Sequence, residues 1–193
     1  MSPRTKQQFE EIREERKKQI RNVALEIIYE EGFENTSISK IAKRADISKG
    51  LLYNYYQSKE ELIKEIIVRG FEDLMVIFDP NNDGVLTLEE ARFFIEEMFN
   101  VLESNLKYWR LYFSTMLQPK VMVLVANDFN NMVAPMLRTV HEFFVSQGSE
   151  NPEADMRLTM ALLDGICFHY MMDPHNYPLK EIKKRLYKII LSS

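Results

Sequence analysis

Apolar residues recur at helical spacing along almost the whole of this 193-residue chain, and no stretch alternates apolar with polar residues as a half-buried strand would. Ile20, Val23, Ala24, Ile27 and Ile28 set the pattern, one inward stripe of a helix expected over 10–31. Gly32 then offers the left-handed conformation at which helices stop. The same spacing predicts helices over 49–56, 58–78, 88–103, 106–117, 127–146, 153–172 and 179–190, with a short piece near 121–125. Thr36 is the expected N-cap of a short second helix carrying Ile38, Ile41, Ala42 and Ala45 inward, and Ser48 caps the third. Pro135 should kink or reset the helix that contains it. The fold class that follows is all-α, with about nine to ten helices.

Composition narrows the function. A single cysteine, Cys167, excludes an internal disulfide and fits a reducing compartment. The longest apolar run, 121–126, is far short of the roughly 18 residues a membrane helix needs, and the first residues lack the apolar core of a signal peptide. A cytoplasmic protein without a membrane partner is expected. The net charge of −4, taken whole, argues against nucleic acid. Its distribution argues otherwise: residues 1–70 carry 14 Lys/Arg against 12 Asp/Glu, the remainder 11 against 17.

Within that basic head, two short helices are separated by a three-residue break, Asp46-Ile47-Ser48, and the second is polar and aromatic. This is the outline of a helix-turn-helix, whose second helix enters the major groove. That helix offers Lys49, Gly50, Leu51, Tyr53, Asn54 and Tyr55. Gly50 costs about 1 kcal/mol against Ala inside a helix, a cost that close approach of its backbone to an outside molecule would justify. Leu52 and Tyr56 fall on the inward side.

The run Thr36-Ser-Ile-Ser-Lys-Ile41-Ala42-Lys-Arg-Ala45-Asp-Ile47-Ser48-Lys49-Gly50-Leu-Leu52-Tyr53-Asn-Tyr55-Tyr56-Gln-Ser58-Lys59-Glu60-Glu-Leu62 resembles the DNA-binding region of the TetR family of bacterial transcriptional regulators. Asp46 stands where that family usually has Gly, which should alter the turn slightly. The resemblance implies a DNA-binding domain over 1–66 and an effector-binding and dimerisation domain over 67–193. It implies that Thr36 and Lys59 bind phosphate, that Ser48, Lys49, Gly50 and Leu51 face the major groove, that Tyr53 and Tyr55 grip the backbone, and that Asn54 reaches a base or a phosphate. Arg13, Arg16, Lys17, Lys18 and Arg21 alternate with glutamates, so they are either a solvated, ion-paired helix face or include one or two phosphate contacts.

A TetR-like chain would act as a homodimer on double-stranded DNA, its symmetry matching a palindromic operator. The family pairs through its last long helices, here 127–146 and 153–172. On the latter, Leu158, Leu162, Gly165, Ile166 and His169 form one stripe and Met160, Leu163, Cys167, Tyr170 and Met171 another, as expected of a helix buried on two faces. Phe94, Met98, Tyr108, Trp109, Tyr112, Phe113 and Met116 read either as ordinary core or as an aromatic, methionine-rich pocket for a small-molecule effector, neutral or lipophilic because few charges fall there. The expected role is a ligand-responsive repressor released from its operator by that effector. No nucleophile–base pair, phosphate loop or clustered His/Cys set points to an enzyme, and no cofactor is required.

One motif stands apart. Asp79-Pro-Asn81-Asn-Asp83-Gly84-Val85-Leu-Thr87-Leu-Glu-Glu90 resembles the EF-hand calcium loop, with Asp79, Asn81, Asp83, Val85 (through its carbonyl), Thr87 and Glu90 as ligands. The same residues also make a helix-breaking turn followed by a capping box. The alternative function is a calcium sensor, or a regulator modulated by Ca²⁺ through this loop.

Overall fold

The structure, a computed structural model, describes residues 6–190. Nine α-helices make up the described residues: α1 (Lys6–Glu31), α2 (Ile38–Arg44), α3 (Lys49–Tyr53), α4 (Lys59–Phe78), α5 (Leu88–Ser104), α6 (Leu106–Met116), α7 (Pro119–Ser146), α8 (Pro152–Met172) and α9 (Leu179–Ile190). The chain is all-α, as its periodicity requires. It divides into two compact units, one running to Gly70 and including Lys107–Asn127, the other made of Phe71–Leu106 and the chain from Asp128 onward.

In the first unit the apolar stripe of α1 meets α2, α3 and the start of α4. Ile20, Ala24, Ile28, Ile41, Leu52, Tyr56, Leu62 and Ile63 are fully buried there. Helix α6 belongs to this unit. Its Tyr112 donates a 2.8 Å hydrogen bond to the Ile67 carbonyl of α4. The tyrosine ring lies where a side chain on Gly70 would stand: a Cβ added at Gly70 would be 2.2 Å from the Tyr112 ring. Glycine at this position is what lets α6 lie flush on α4. In the second unit Phe78, Ile95, Phe99, Val140, Phe143, Phe144 and Leu163 form the core. Phe78 and Phe94 meet edge to face at 5.2 Å.

Three expectations change. The cap of α2 is Ser37, not Thr36: Ser37 has the extended backbone of an N-cap, and its Oγ accepts from the Lys40 N–H. Thr36 instead closes the end of α1, its hydroxyl donating to the Gly32 carbonyl at 2.9 Å. Helix α3 ends at Tyr53, where Asn54 takes the C-cap and the N–H groups of Tyr55 and Tyr56 both turn back to the Leu52 carbonyl. Finally, the segments expected at 121–125 and 127–146 are one helix, continuous through Pro135. Pro135 and Asn131, whose carbonyl the proline leaves without its helical donor, both lie on the exposed face, where water can serve that carbonyl.

Candidate nucleic-acid interface

The turn between α2 and α3 is a Schellman motif. Ile47 N–H reaches back to the Ala42 carbonyl at 3.0 Å and Asp46 N–H to the Lys43 carbonyl at 3.3 Å. Between them Asp46 takes a left-handed backbone, φ 53°. The turn that glycine makes elsewhere in such motifs is therefore kept by an aspartate, one of the few side chains that tolerate this region. Ser48 then caps α3, its Oγ accepting from Leu51 N–H at 3.0 Å.

Ser48, Lys49, Gly50, Leu51, Tyr53 and Asn54 are exposed together on one short helix and its cap, while Tyr55 is half-buried. Among the described residues, and apart from its chain neighbours and its own helix backbone, nothing lies within 4 Å of where a Gly50 side chain would be, so no packing against another element requires glycine there. Leu52 and Tyr56 point the other way and are fully buried.

Beneath this surface lies a group that the sequence did not single out. Glu65 of α4 accepts from Lys17 at 3.0 Å, from Arg21 at 2.9 Å and from the Tyr56 hydroxyl at 3.0 Å, and Arg69 approaches it at 3.4 Å. Burial opposes ionisation of Glu65, but the hydrogen bonds from Lys17 and Tyr56 and the charges of Lys17 and Arg21 outweigh it and hold the carboxyl below its ordinary value. Burial beside Glu65 pushes the Tyr56 phenol well up. Helices α1 and α4 and the turn that follows α3 are thus tied together beneath the recognition helix.

The cations of the head fall into two sets. Lys17 and Arg21 are held by Glu65, Lys40 pairs with Glu31, and Arg44 pairs with both oxygens of Glu30. Arg13 and Lys49 lie over tyrosine rings of the recognition segment without such a carboxylate partner among the described residues, Arg13 over Tyr55 at 5.0 Å and Lys49 over Tyr53 at 5.8 Å, whereas Lys17 lies over the Tyr56 ring at 5.3 Å and is also held by Glu65. Lys59 donates to the Phe33 carbonyl at 2.7 Å and lies 4.1 Å over the Phe33 ring, which engages one of its three N–H donors. The phosphate role expected of Thr36 is not supported by its surroundings. Its side chain is 3% exposed, its hydroxyl is given to Gly32 and its N–H to the Phe33 carbonyl. The exposed hydroxyl at the start of α2 is Ser37.

In the second unit, Leu158, Phe168 and Met172 of α8 are exposed, beside Ala161 and half-buried Leu162 and Gly165. A small apolar cavity of about 30 Å³ lies among Phe78, Leu86, Phe94, Met136, Phe144 and Met160. Of the seven residues expected to line an effector pocket, Phe94 borders this cavity. Met98 is half-buried on α5, and Tyr108, Trp109, Tyr112, Phe113 and Met116 belong to α6 in the first unit, where Trp109 and Tyr112 are buried core.

The 79–90 loop satisfies its own polar groups. Asp79 accepts from the N–H of Asp83 and Gly84, Asp83 accepts from that of Val85, and Thr87 and Glu90 form a reciprocal capping box. The Asn81 amide N–H₂ donates to Asp83 at 3.1 Å and to Glu90 at 2.9 Å. The Asn81 amide N–H₂ thus lies between the two carboxylates, and the loop is closed by its own hydrogen bonds. Among the described residues no group of three or more His, Cys, Asp or Glu is placed to hold a metal ion.

A capped turn, an exposed polar helix with a bare glycine, and cations seated on its tyrosines define a DNA-binding protein of the helix-turn-helix class. Residues 20–66 match the family model described as bacterial regulatory proteins, tetR family. The chain is 26% identical to the HTH-type transcriptional regulator UidR of Escherichia coli (strain K12) over 161 residues, 80% of this chain and 79% of that one. Two solved structures share the fold. NalD, the secondary repressor of the MexAB-OprM multidrug efflux pump in Pseudomonas aeruginosa, superposes with a TM-score of 0.68 at 18% identity, covering 93% of this chain and 96% of that one. The SmeT–triclosan complex gives 0.72 at 17% identity, covering 92% and 90%. Residues 20–66 are thus a DNA-binding region of the tetR type, and the chain is similar to TetR-family transcriptional regulators over most of its length. Among the described residues no helix is long and apolar enough to cross a membrane.

Proposed function

We propose that this regulator is a cytoplasmic repressor that binds a palindromic operator as a homodimer and leaves it when a small molecule binds the second unit. The observation that carries the reading is the exposed face of α3, Ser48 to Asn54, with Gly50 free of any packing demand from another element. Lys49 and Leu51 read the groove, Ser48 and Asn54 contribute polar contacts, and Tyr53, Tyr55 and Lys59 hold the backbone. One recognition helix reads too few base pairs to locate a site, so pairing is needed. The exposed apolar stripe of α8, with α7 beside it, is the surface we assign to that pairing. Residues 1–66 serve as the reading domain and 67–193 as the sensing and pairing domain.

The effector is lipophilic in this reading, because the cavity at Phe94 is lined by apolar side chains with Thr159 as the polar exception. At about 30 Å³ it holds roughly one water, an order of magnitude below a ligand pocket of about 300 Å³ or more. Binding must therefore open it by moving Phe94, Met136 and Met160, and that expansion beside Phe78 at the end of α4 is the event that would disturb DNA binding. SmeT, which shares the fold, was solved with triclosan. No metal, cofactor or catalysis is invoked. Calorimetric titration with Ca²⁺ is expected to give no heat, and a saturable heat lost in Glu90→Gln would restore the calcium reading of the loop.

Selection of bound sequences from a random duplex pool tests the whole. A two-fold symmetric consensus is the expected result. Recovery of an unselected pool would overturn sequence-specific repression.

A further inference from the structure

Of the five cations of α1 singled out in the sequence, the structure separates four by partner. Lys17 and Arg21 face inward to the half-buried Glu65, and Arg16 donates to Gln19 at 2.7 Å. Arg13, one to two turns nearer the start of α1, is exposed, and its Cζ lies 5.0 Å from the centre of the Tyr55 ring. One of its N–H groups points at the carbonyl of Asn54, the C-cap of α3, at 3.4 Å. Among the described residues Arg13 has no carboxylate ion pair, whereas Arg21, Lys17, Lys40 and Arg44 each have one.

A guanidinium stacked on an aromatic face keeps its N–H donors at the edge of the stack, in the planar fork that matches phosphate. Lys49 occupies the equivalent situation over Tyr53 on the same short segment. We propose that Arg13 is a DNA-backbone contact, carried by α1 but oriented by Tyr55 and Asn54, so that the recognition segment and α1 hold one phosphate jointly. This rests on the reading of α3 as the DNA-binding helix. It also gives Tyr55 a second task, that of a platform for the guanidinium.

Charge that contacts phosphate releases counterions, so each such contact adds about 0.9 to the slope of log affinity against log salt. Charge consumed inside the protein adds nothing. The test is fluorescence anisotropy of the full chain with a labelled random-sequence duplex, from 50 to 200 mM salt. Arg13→Ala should lower the slope by about 0.9, so that the ratio of wild-type to variant affinity shrinks about threefold across that range. Arg13→Lys should restore most of the slope, because the charge remains, without restoring all of the affinity, because the fork is gone. Lys17→Ala should leave the slope unchanged and lower the melting temperature instead. If Lys49→Ala lowers the slope and Arg13→Ala does not, the proposal for Arg13 falls while the reading helix stands. If the wild type shows no salt-dependent binding, both fall together.

Discussion

Asp46 holds a left-handed backbone that costs a residue with a Cβ about 1–2 kcal/mol, less for aspartate than for most. Glycine would remove that cost but adds freedom to the unfolded chain. Asp46→Gly is therefore expected to raise stability by about 0.5–1 kcal/mol, read as a higher urea midpoint at unchanged slope. A lower midpoint would mean that the aspartate side chain itself stabilises the turn. Glu65 gives a pH signature. Its carboxyl is held below the ordinary glutamate value near 4.3, so its interactions with Lys17, Arg21 and Tyr56 stabilise the fold above that value. They are lost as pH falls through the depressed folded value. Melting curves between pH 7 and pH 3 should fall more steeply for the wild type than for Glu65→Gln, and parallel curves would remove Glu65 from the account. These two residues also differ in how visible they were. Asp46 could be placed from the sequence because the turn is local. Glu65 could not, since its partners Lys17 and Arg21 lie 48 and 44 residues away and no periodicity links them.

At the scale of elements, the helices followed from spacing and punctuation because both act within a few residues. Gly32 ends α1 as expected, and Gly148 lies just past the end of α7, each with positive φ. What failed depended on surroundings. Thr36 and Ser37 are equally good caps in sequence, and the choice was made by the Gly32 carbonyl within reach of Thr36. Pro135 breaks a helix only if its freed carbonyl has nowhere to go, and exposure decided that. The aromatic residues of α6 looked like a pocket because an aromatic stripe has the same spacing whether it lines a hollow or fills one. The fit of Tyr112 against Gly70 shows one such ring at work as packing. Gly70→Ala should cost about 1–3 kcal/mol through overpacking, despite alanine's better helix propensity. Combining it with Tyr112→Ala should cost less than the two single changes added together. Strict additivity in chemical denaturation would show that the two positions do not touch.

At the scale of the molecule, the exposed apolar residues of α8 set the expected association. Leu158 and Phe168 are each more than half exposed on a helix whose opposite side is core. Introducing charge there, as in Phe168→Glu, should shift the sedimentation coefficient from dimer to monomer at micromolar concentration and weaken binding to a full operator far more than to random duplex. A variant that stays dimeric would move the pairing surface elsewhere. The fold-level assignment was legible from sequence because the motif of the head is dense in fixed positions. The body was not, because apolar residues at helical spacing look the same in sequence whether they line a hollow or fill one.

The chain leaves the first unit inside a helix, between Gly70 and Phe71 of α4, and does so again between Asn127 and Asp128 of α7. One residue inserted into a helix turns the helix downstream of it by about 100°, so an insertion or deletion at either passage shifts the face of the helix that carries it. A reading head joined in this way is inherited with its body. On the function proposed above, new operators should then arise by substitution on α3, and new effectors by substitution around Phe94, more readily than by exchange of whole domains.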